Sequence, residues 1–231
     1  MGLILSIETA TPVCSVALHK DGNLLGVQEL HLQRSHSEFL AVLIRDLVRY
    51  AGYELKDIEY IAVSKGPGSY TGLRIGTATA KGLCFALEKP LVSIDTLQAM
   101  AYGMSRYFQG EDVLLCPMID ARRMEVYCLV ADASLNIIES TAAEIIDENS
   151  FKERLEVKRM IFFGDGASKC SPLLSSHPNA KFIENVKPSA RDVGEAVYEM
   201  LKKNLLEPED LAYFEPFYLK DFQAKKAKAA F

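Results

Sequence analysis

The sequence is short of the residues that most catalytic, metal-binding or membrane-bound chains depend on. Five cysteines are present, Cys14, Cys84, Cys116, Cys128 and Cys170, but none forms a CxxC pair and the number is odd, so no paired metal spacing is available. They sit mostly in apolar stretches and are expected to be reduced and buried, which points to the cytoplasm. Only four histidines occur, His19, His31, His36 and His177. No two have the HExxH or HxxxH spacing that places a metal-binding pair on one helix face. There is no GxSxG elbow for a serine nucleophile. No apolar run approaches the roughly 18–20 residues of a membrane span, and MGLILSIETA at the start lacks the basic and apolar segments of a signal peptide. A basic excess is also missing: 26 basic against 31 acidic side chains gives a net charge of −5. Phosphate contacts supply most nucleic-acid affinity, so a chain that grips RNA or DNA by itself is disfavoured. Only the C-terminal tail is locally basic, with Lys220, Lys225, Lys226 and Lys228 against Asp221. It reads as a solvated end, with a contact to RNA or a partner as the alternative.

What is present is ordinary for a globular protein: 231 residues, 49% apolar and 25% charged. That length fits one large domain or two small ones. Roughly 70–75% of the unfolded chain's surface is expected to be buried at this size, so the core needs no disulfide or metal.

The order of elements is more informative. Leu3–Ile7 and Val13–Leu18 read as strands. The turn Lys20-Asp21-Gly22-Asn23 leads to a third, Leu24–Leu30. A helix follows, opened by a Ser35/Glu38 capping box and carrying Leu40, Leu43, Leu47 and Val48 at helical spacing. Gly52 stands where a left-handed cap would end it. Tyr60–Ser64 is a strand, Leu73–Leu87 a helix, Leu91–Ile94 a strand and Thr96–Tyr107 a helix. The second half repeats the list. Val113–Ile119, Met124–Ala131 and Asn136–Glu139 are strands, followed by a helix over Asp147–Leu155. Then come strand Met160–Phe163, a short helix after Gly166, strand Lys181–Val186 and helix Ser189–Asn204. Two tandem β-β-β-α-β-α-β-α units make an α/β protein with mixed sheets covered by helices. The order suggests the actin-like ATPase (ASKHA, ribonuclease H-like) fold. Domains are expected at 1–107 and 108–231. A fold-level likeness assigns no function.

The loop KGPGSYTGLRIG, Lys65–Gly76, is the strongest local signal. Glycines crowding a strand-to-helix junction can turn backbone N–H groups toward a phosphate. The loop is neither a Walker A sequence nor GxGxxG. Gly66 and Gly68 are therefore candidates for holding phosphates, with a closely packed structural turn as the competing reading. Glu8 and Asp120 occupy corresponding places in the two halves, where a nucleotide-metal enzyme would keep carboxylates; Asp165 is a third such residue. Interior glycines of the following helix each cost roughly 0.8–1 kcal/mol against alanine. Close approach of another backbone would offset that cost, either within the domain or on another chain.

Several motifs together carry a resemblance: SIETAT, HSE at the first helix, KGPGSYTGLRIG, IDARRMEVY and FEPFYL. From about Leu3 to Lys220 the chain resembles the TsaB (YeaZ) family, in the glycoprotease group. Glu8 stands where the family often carries Asp. The resemblance implies a non-catalytic subunit for tRNA N6-threonylcarbamoyladenosine modification, one that binds the catalytic relative TsaD, joined by the ATPase TsaE. It implies a homodimer when the chain is alone, tRNA contact only through the complex, no cofactor of its own, and ATP with Mg²⁺ bound by the complex. The metal-binding histidine pair of TsaD would align near Thr96 and Met100, neither a plausible ligand, which argues against peptidase activity and independent transfer. The family places the partner contact on the first two helices. Phe39, Leu40, Leu43 and Leu47 are expected from one, and Arg74, Thr77, Ala78 and Lys81 from the other. The alternative is a nucleotide-dependent ATPase or kinase, with Glu8 and Asp120 on the metal and Gly66 and Gly68 on the phosphates.

Overall fold

An unbroken run of buried side chains makes β1 (Leu3–Glu8) a strand covered on both faces. In the computed structural model, which describes residues 2–32 and 35–220, it lies at the centre of a five-stranded sheet. β2 (Cys14–Lys20) and β3 (Asn23–Leu30) follow antiparallel through the Asp21-Gly22 turn. β3 alternates exposed and half-buried positions, as an edge strand packed on one face does. β4 (Ile58–Ser64) and β5 (Leu91–Ile94) join parallel on the other side, giving the order β3-β2-β1-β4-β5. Leu3, Leu5 and Ile7 point to one face, where α1 (His36–Tyr50) and α2 (Tyr70–Leu87) cover them with Leu40, Ile44, Leu47, Ala80 and Cys84. Ile4, Ala62, Val92 and Ile94 point to the other.

The second half builds the same sheet again. β6 (Val113–Asp120), β7 (Glu125–Asp132) and β8 (Ile137–Ile145) form the antiparallel meander. β9 (Arg159–Phe163) and β10 (Ala180–Ile183) extend it in parallel, in the order β10-β9-β6-β7-β8. α4 (Lys152–Val157) and α5 (Ala167–Leu174) lie toward the face carrying Leu114, Cys116, Met118 and Phe162. All five cysteines are buried and unpaired.

Two helices make the layer between the sheets. α3 (Thr96–Ser105) turns Leu97, Met100, Ala101 and Met104 to the second sheet. α6 (Ala190–Lys202) lays Val193, Ala196 and Val197 on the first. Arg106, just past α3, pairs with Asp192 and Glu195 of α6 at 2.7 and 2.9 Å. The packing therefore departs from a linear division at 107/108. The last helix completes the first lobe, and α3 completes the second.

Beyond α6 the chain is a strap rather than a further element. The Glu209 amide donates to the Leu91 carbonyl at 2.8 Å, and Phe214 enters the core of the first lobe. Lys81 Nζ donates to the carbonyls of Ala212 and Phe214 at 3.4 and 3.0 Å. The Phe217 amide donates to the Lys65 carbonyl at 2.7 Å. Lys220 then pairs with Glu125 of the second lobe. The basic residues after Lys220 lie outside the described residues.

Several local features differ from expectation. α2 starts at Tyr70, because Ser69 is its cap and accepts a bond from the Gly72 amide at 3.3 Å. β8 runs to Ile145, and the helix expected from Asp147 begins only at Lys152, after Asp147 and Ser150 have closed a turn. β10 stops at Ile183. The Ser35/Glu38 capping box does not form: Ser35 is itself in helical conformation, and its hydroxyl donates back to the Leu32 carbonyl at 2.9 Å.

Candidate functional site

The glycine-rich loop connects β4 to α2 and faces the loop that leaves β1. The contact between them is backbone against backbone. The Ser69 amide donates to the Ala10 carbonyl at 2.6 Å. A Cβ on Gly68 would lie 2.4 Å from that oxygen, one on Gly72 2.1 Å from the Thr9 carbonyl, and one on Gly76 2.2 Å from Thr9 Oγ1. Gly66, at φ +113°, has the Phe217 carbonyl of the strap where its Cβ would be, 2.6 Å away. These glycines are consumed by the chain's own close packing. At Gly66 and Gly68 the chain's own backbone, at Phe217 and Ala10, occupies the place of a side chain, which accounts for glycine at both positions.

Glu8 lies behind this seam with none of its surface exposed. One carboxylate oxygen accepts from the Ala10 amide at 2.5 Å, while Oε2 has no partner among the described residues. Burial pushes the carboxyl up to about 7, and the backbone amides pull it only part of the way back. A group held this far from solvent is a poor cation ligand. Asp120 is exposed but engaged: it accepts from the Arg122 amide at 2.9 Å and pairs with Lys169. Asp165 accepts from the Asp120 amide at 3.0 Å. Among the described residues, no three His, Cys, Asp or Glu side chains are grouped to hold a metal ion. Two shallow depressions of about 230 and 520 Å³ lie on the second lobe around Asn149–Lys152, and neither is lined by Glu8, Gly66, Gly68 or Asp120.

The outer face of α1 and α2 differs from the seam. On α2, Arg74, Ala78, Gly82 and Phe85 are exposed at intervals of three and four residues, so they share one stripe. Phe85 is 81% exposed, and a Cβ on Gly82 would meet nothing within 4 Å. On α1, Phe39 and Val42 are each 38% exposed. Of the expected contact residues, Phe39, Arg74 and Ala78 lie on this face. Leu43 is half-buried against the core. Leu40, Leu47 and Thr77 are buried in their own lobe, because the same helices must cover β1 and β2. Lys81 is half-buried, its ammonium donating to the strap carbonyls of Ala212 and Phe214.

The sequence profile of the family described as TsaD, tRNA N6-adenosine threonylcarbamoyltransferase, matches residues 18–228. The tRNA threonylcarbamoyladenosine biosynthesis protein TsaB of Escherichia coli (strain K12) is 42% identical over 124 residues, 54% of this chain and 52% of that protein. A crystal structure of a Pseudomonas aeruginosa protein described as similar to peptidase YeaZ superposes with a TM-score of 0.80 at 25% identity, covering 95% of this chain and 100% of that one. The chain belongs to this family. The aligned stretch spans about half the length of the E. coli TsaB. The actin-like architecture extends further, to the activator of 2-hydroxyisocaproyl-CoA dehydratase from Clostridium difficile, solved with ADPNP. The TM-score there is 0.50 at 10% identity, over 88% of this chain and 96% of that one, which speaks for the fold alone. Thr96 and Met100 are both buried. The sequence reading missed Val42, Gly82 and Phe85. Their signal was helical phase: Gly82 and Phe85 continue the row set by Arg74 and Ala78.

Proposed function

We propose that the chain is a non-catalytic partner subunit in tRNA N6-threonylcarbamoyladenosine modification. It binds and orients TsaD, with TsaE joining the assembly, and pairs with a second copy when TsaD is absent. ATP and Mg²⁺ enter through the assembly, as does the tRNA, and the setting is the cytoplasm. One observation carries this reading: the row Arg74, Ala78, Gly82, Phe85 beside Phe39 and Val42 leaves a small-residue helix face with a large exposed ring. Small residues allow close backbone approach, and an exposed aromatic supplies an anchor. The name of the E. coli relative supports the pathway.

Reconstitution with TsaD, TsaE, threonylcarbamoyl adenylate and unmodified tRNA tests it. The chain alone is expected to transfer nothing, and omitting it from the mixture is expected to abolish modification. Ala78→Arg places a long charged side chain in the contact and is expected to weaken TsaD capture at least tenfold, about 1.4 kcal/mol or more. Robust transfer by the isolated chain would overturn the reading, and wild-type capture by the variant would move the contact elsewhere.

A further inference from the structure

The strap meets α2 at two places, and one of them lies beside the exposed row of that helix. At the first, Lys81 Nζ donates to the Ala212 and Phe214 carbonyls. At the second, near the start of the helix, the Tyr218 ring lies 4.9 Å from that of Tyr70 with 36° between their planes. Tyr70 in turn engages Arg74, one turn further on. The Arg74 guanidinium donates to the Tyr70 hydroxyl at 2.9 Å and sits 5.3 Å from the centre of its ring. Strap, ring, ring and guanidinium thus form a chain of contacts. It ends on the first residue of the row Arg74, Ala78, Gly82, Phe85.

Two observations separate this chain of contacts from a seam that only holds the strap down. First, the strap is anchored without the Tyr218 ring. Phe214 is buried in the first lobe, the Phe217 amide donates to the Lys65 carbonyl at 2.7 Å, and Lys220 pairs with Glu125 of β7. Those contacts hold the segment on both sides of Tyr218 and so set where its ring lies. Second, Arg74 is exposed, and an arginine gives up much rotamer freedom to keep one pose. A contact between residues four apart on a helix surface is too weak to hold it alone. Tyr70 is itself the first residue of α2, where helices fray, so its ring needs a neighbour from outside the helix. Tyr218 is that neighbour. The charges reach across the same contact: burial raises the Tyr218 phenol, Tyr70 and Glu215 act in the same direction, and the Arg74 guanidinium acts against them.

We propose that Tyr218 is a positioning residue for the partner contact: through Tyr70 it holds the Arg74 guanidinium in the pose that TsaD receives, a role that rests on the partner reading given above. Its physical basis is preorganisation. A side chain already held in place loses less freedom on binding than one that must be ordered at that moment. The strap therefore serves the α2 face without itself touching the partner at Tyr218.

Dissociation constants of the full chain for TsaD are measured for wild type, Tyr218→Leu, Arg74→Gln and the double variant, with melting temperatures alongside. Arg74→Gln is expected to weaken binding roughly tenfold, as truncating an interface arginine does. Tyr218→Leu is expected to weaken it about threefold, the share of one side chain that must be ordered on binding. The double variant is expected to bind no more weakly than Arg74→Gln alone, because without the guanidinium Tyr218 has nothing to hold. Tyr218→Phe keeps the ring and is expected to bind as wild type. A merely structural role for Tyr218 would cost the same factor in both backgrounds, and that outcome overturns the proposal. So does wild-type binding by Tyr218→Leu or by Arg74→Gln. Ala78→Arg, measured beside them, separates the two readings. If it weakens binding while the others do not, the partner contact stands and the positioning role falls. If it binds as wild type, the partner reading falls and the positioning role with it.

Discussion

Glu8 is a carboxyl group the fold keeps from water, and its protonation is tied to folding. Its value rises from 4.5 to about 7, so between those pH values the native state holds a proton the unfolded chain has released. Its contribution is complete below pH 4.5 and is lost as pH rises through 7. His19 acts with the opposite sign. Burial lowers it from 6.5 to about 4, so its contribution is present above pH 6.5 and lost on acidification. Glu8→Gln removes the first effect and leaves the second. Urea unfolding of wild type and variant is expected to show the variant gaining roughly 3 kcal/mol relative to wild type between pH 4.5 and pH 8. A pH-independent difference would show that Glu8 is ionised in the folded protein. The sequence made Glu8 look like a carboxylate at the mouth of a cleft because it ends an apolar strand. What seals it, Ser69 against Ala10, comes from a segment sixty residues away, and no local pattern reports that.

At the scale of the element, α2 separates two uses of glycine that its sequence writes identically. Gly76 faces Thr9, where an added methyl would stand 2.2 Å from Oγ1, while Gly82 faces open space. Gly76→Ala is expected to cost about 1–3 kcal/mol through overpacking. Gly82→Ala is expected to stabilise the isolated chain by about 0.8–1 kcal/mol, the difference in helix propensity. Thermal melts of the two variants check both signs. If Gly82 serves the partner contact, the same substitution weakens TsaD capture while raising the melting temperature. The unusual glycine content was legible in the sequence, and so was the need for a close neighbour. Which glycine met which neighbour was not, because the partner of Gly76 is Thr9, a residue of the distant loop after β1. The Ser35/Glu38 pattern failed for a related reason: Ser35 lies within helical geometry and spends its hydroxyl on Leu32.

For the whole molecule, the repeated order of strands and helices was legible because each half contains a full meander followed by parallel strands at helix-length spacing. The exchange of helices between halves was not. Val193, Ala196 and Val197 have the periodicity of any buried helix face, and periodicity does not name the sheet it covers. The strap was less legible still, since Leu206–Tyr218 has neither period. Its anchor is Phe214, buried in the first lobe. Phe214→Ala is expected to destabilise the protein by about 3–5 kcal/mol. Calorimetry is expected to show that loss in a single transition, because the strap and the α3–α6 layer bind the lobes together. Two separated transitions would mean that the lobes melt independently.

That return of the chain has an implication for biosynthesis. The half of the protein that leaves the ribosome first finishes folding last, because one face of its sheet stays bare until α6 has emerged and the other lacks Phe214. Nascent chains stalled anywhere before Phe214 therefore expose apolar strands to the chaperone and protease machinery, and a premature stop codon just ahead of Phe214 should leave little protein to detect.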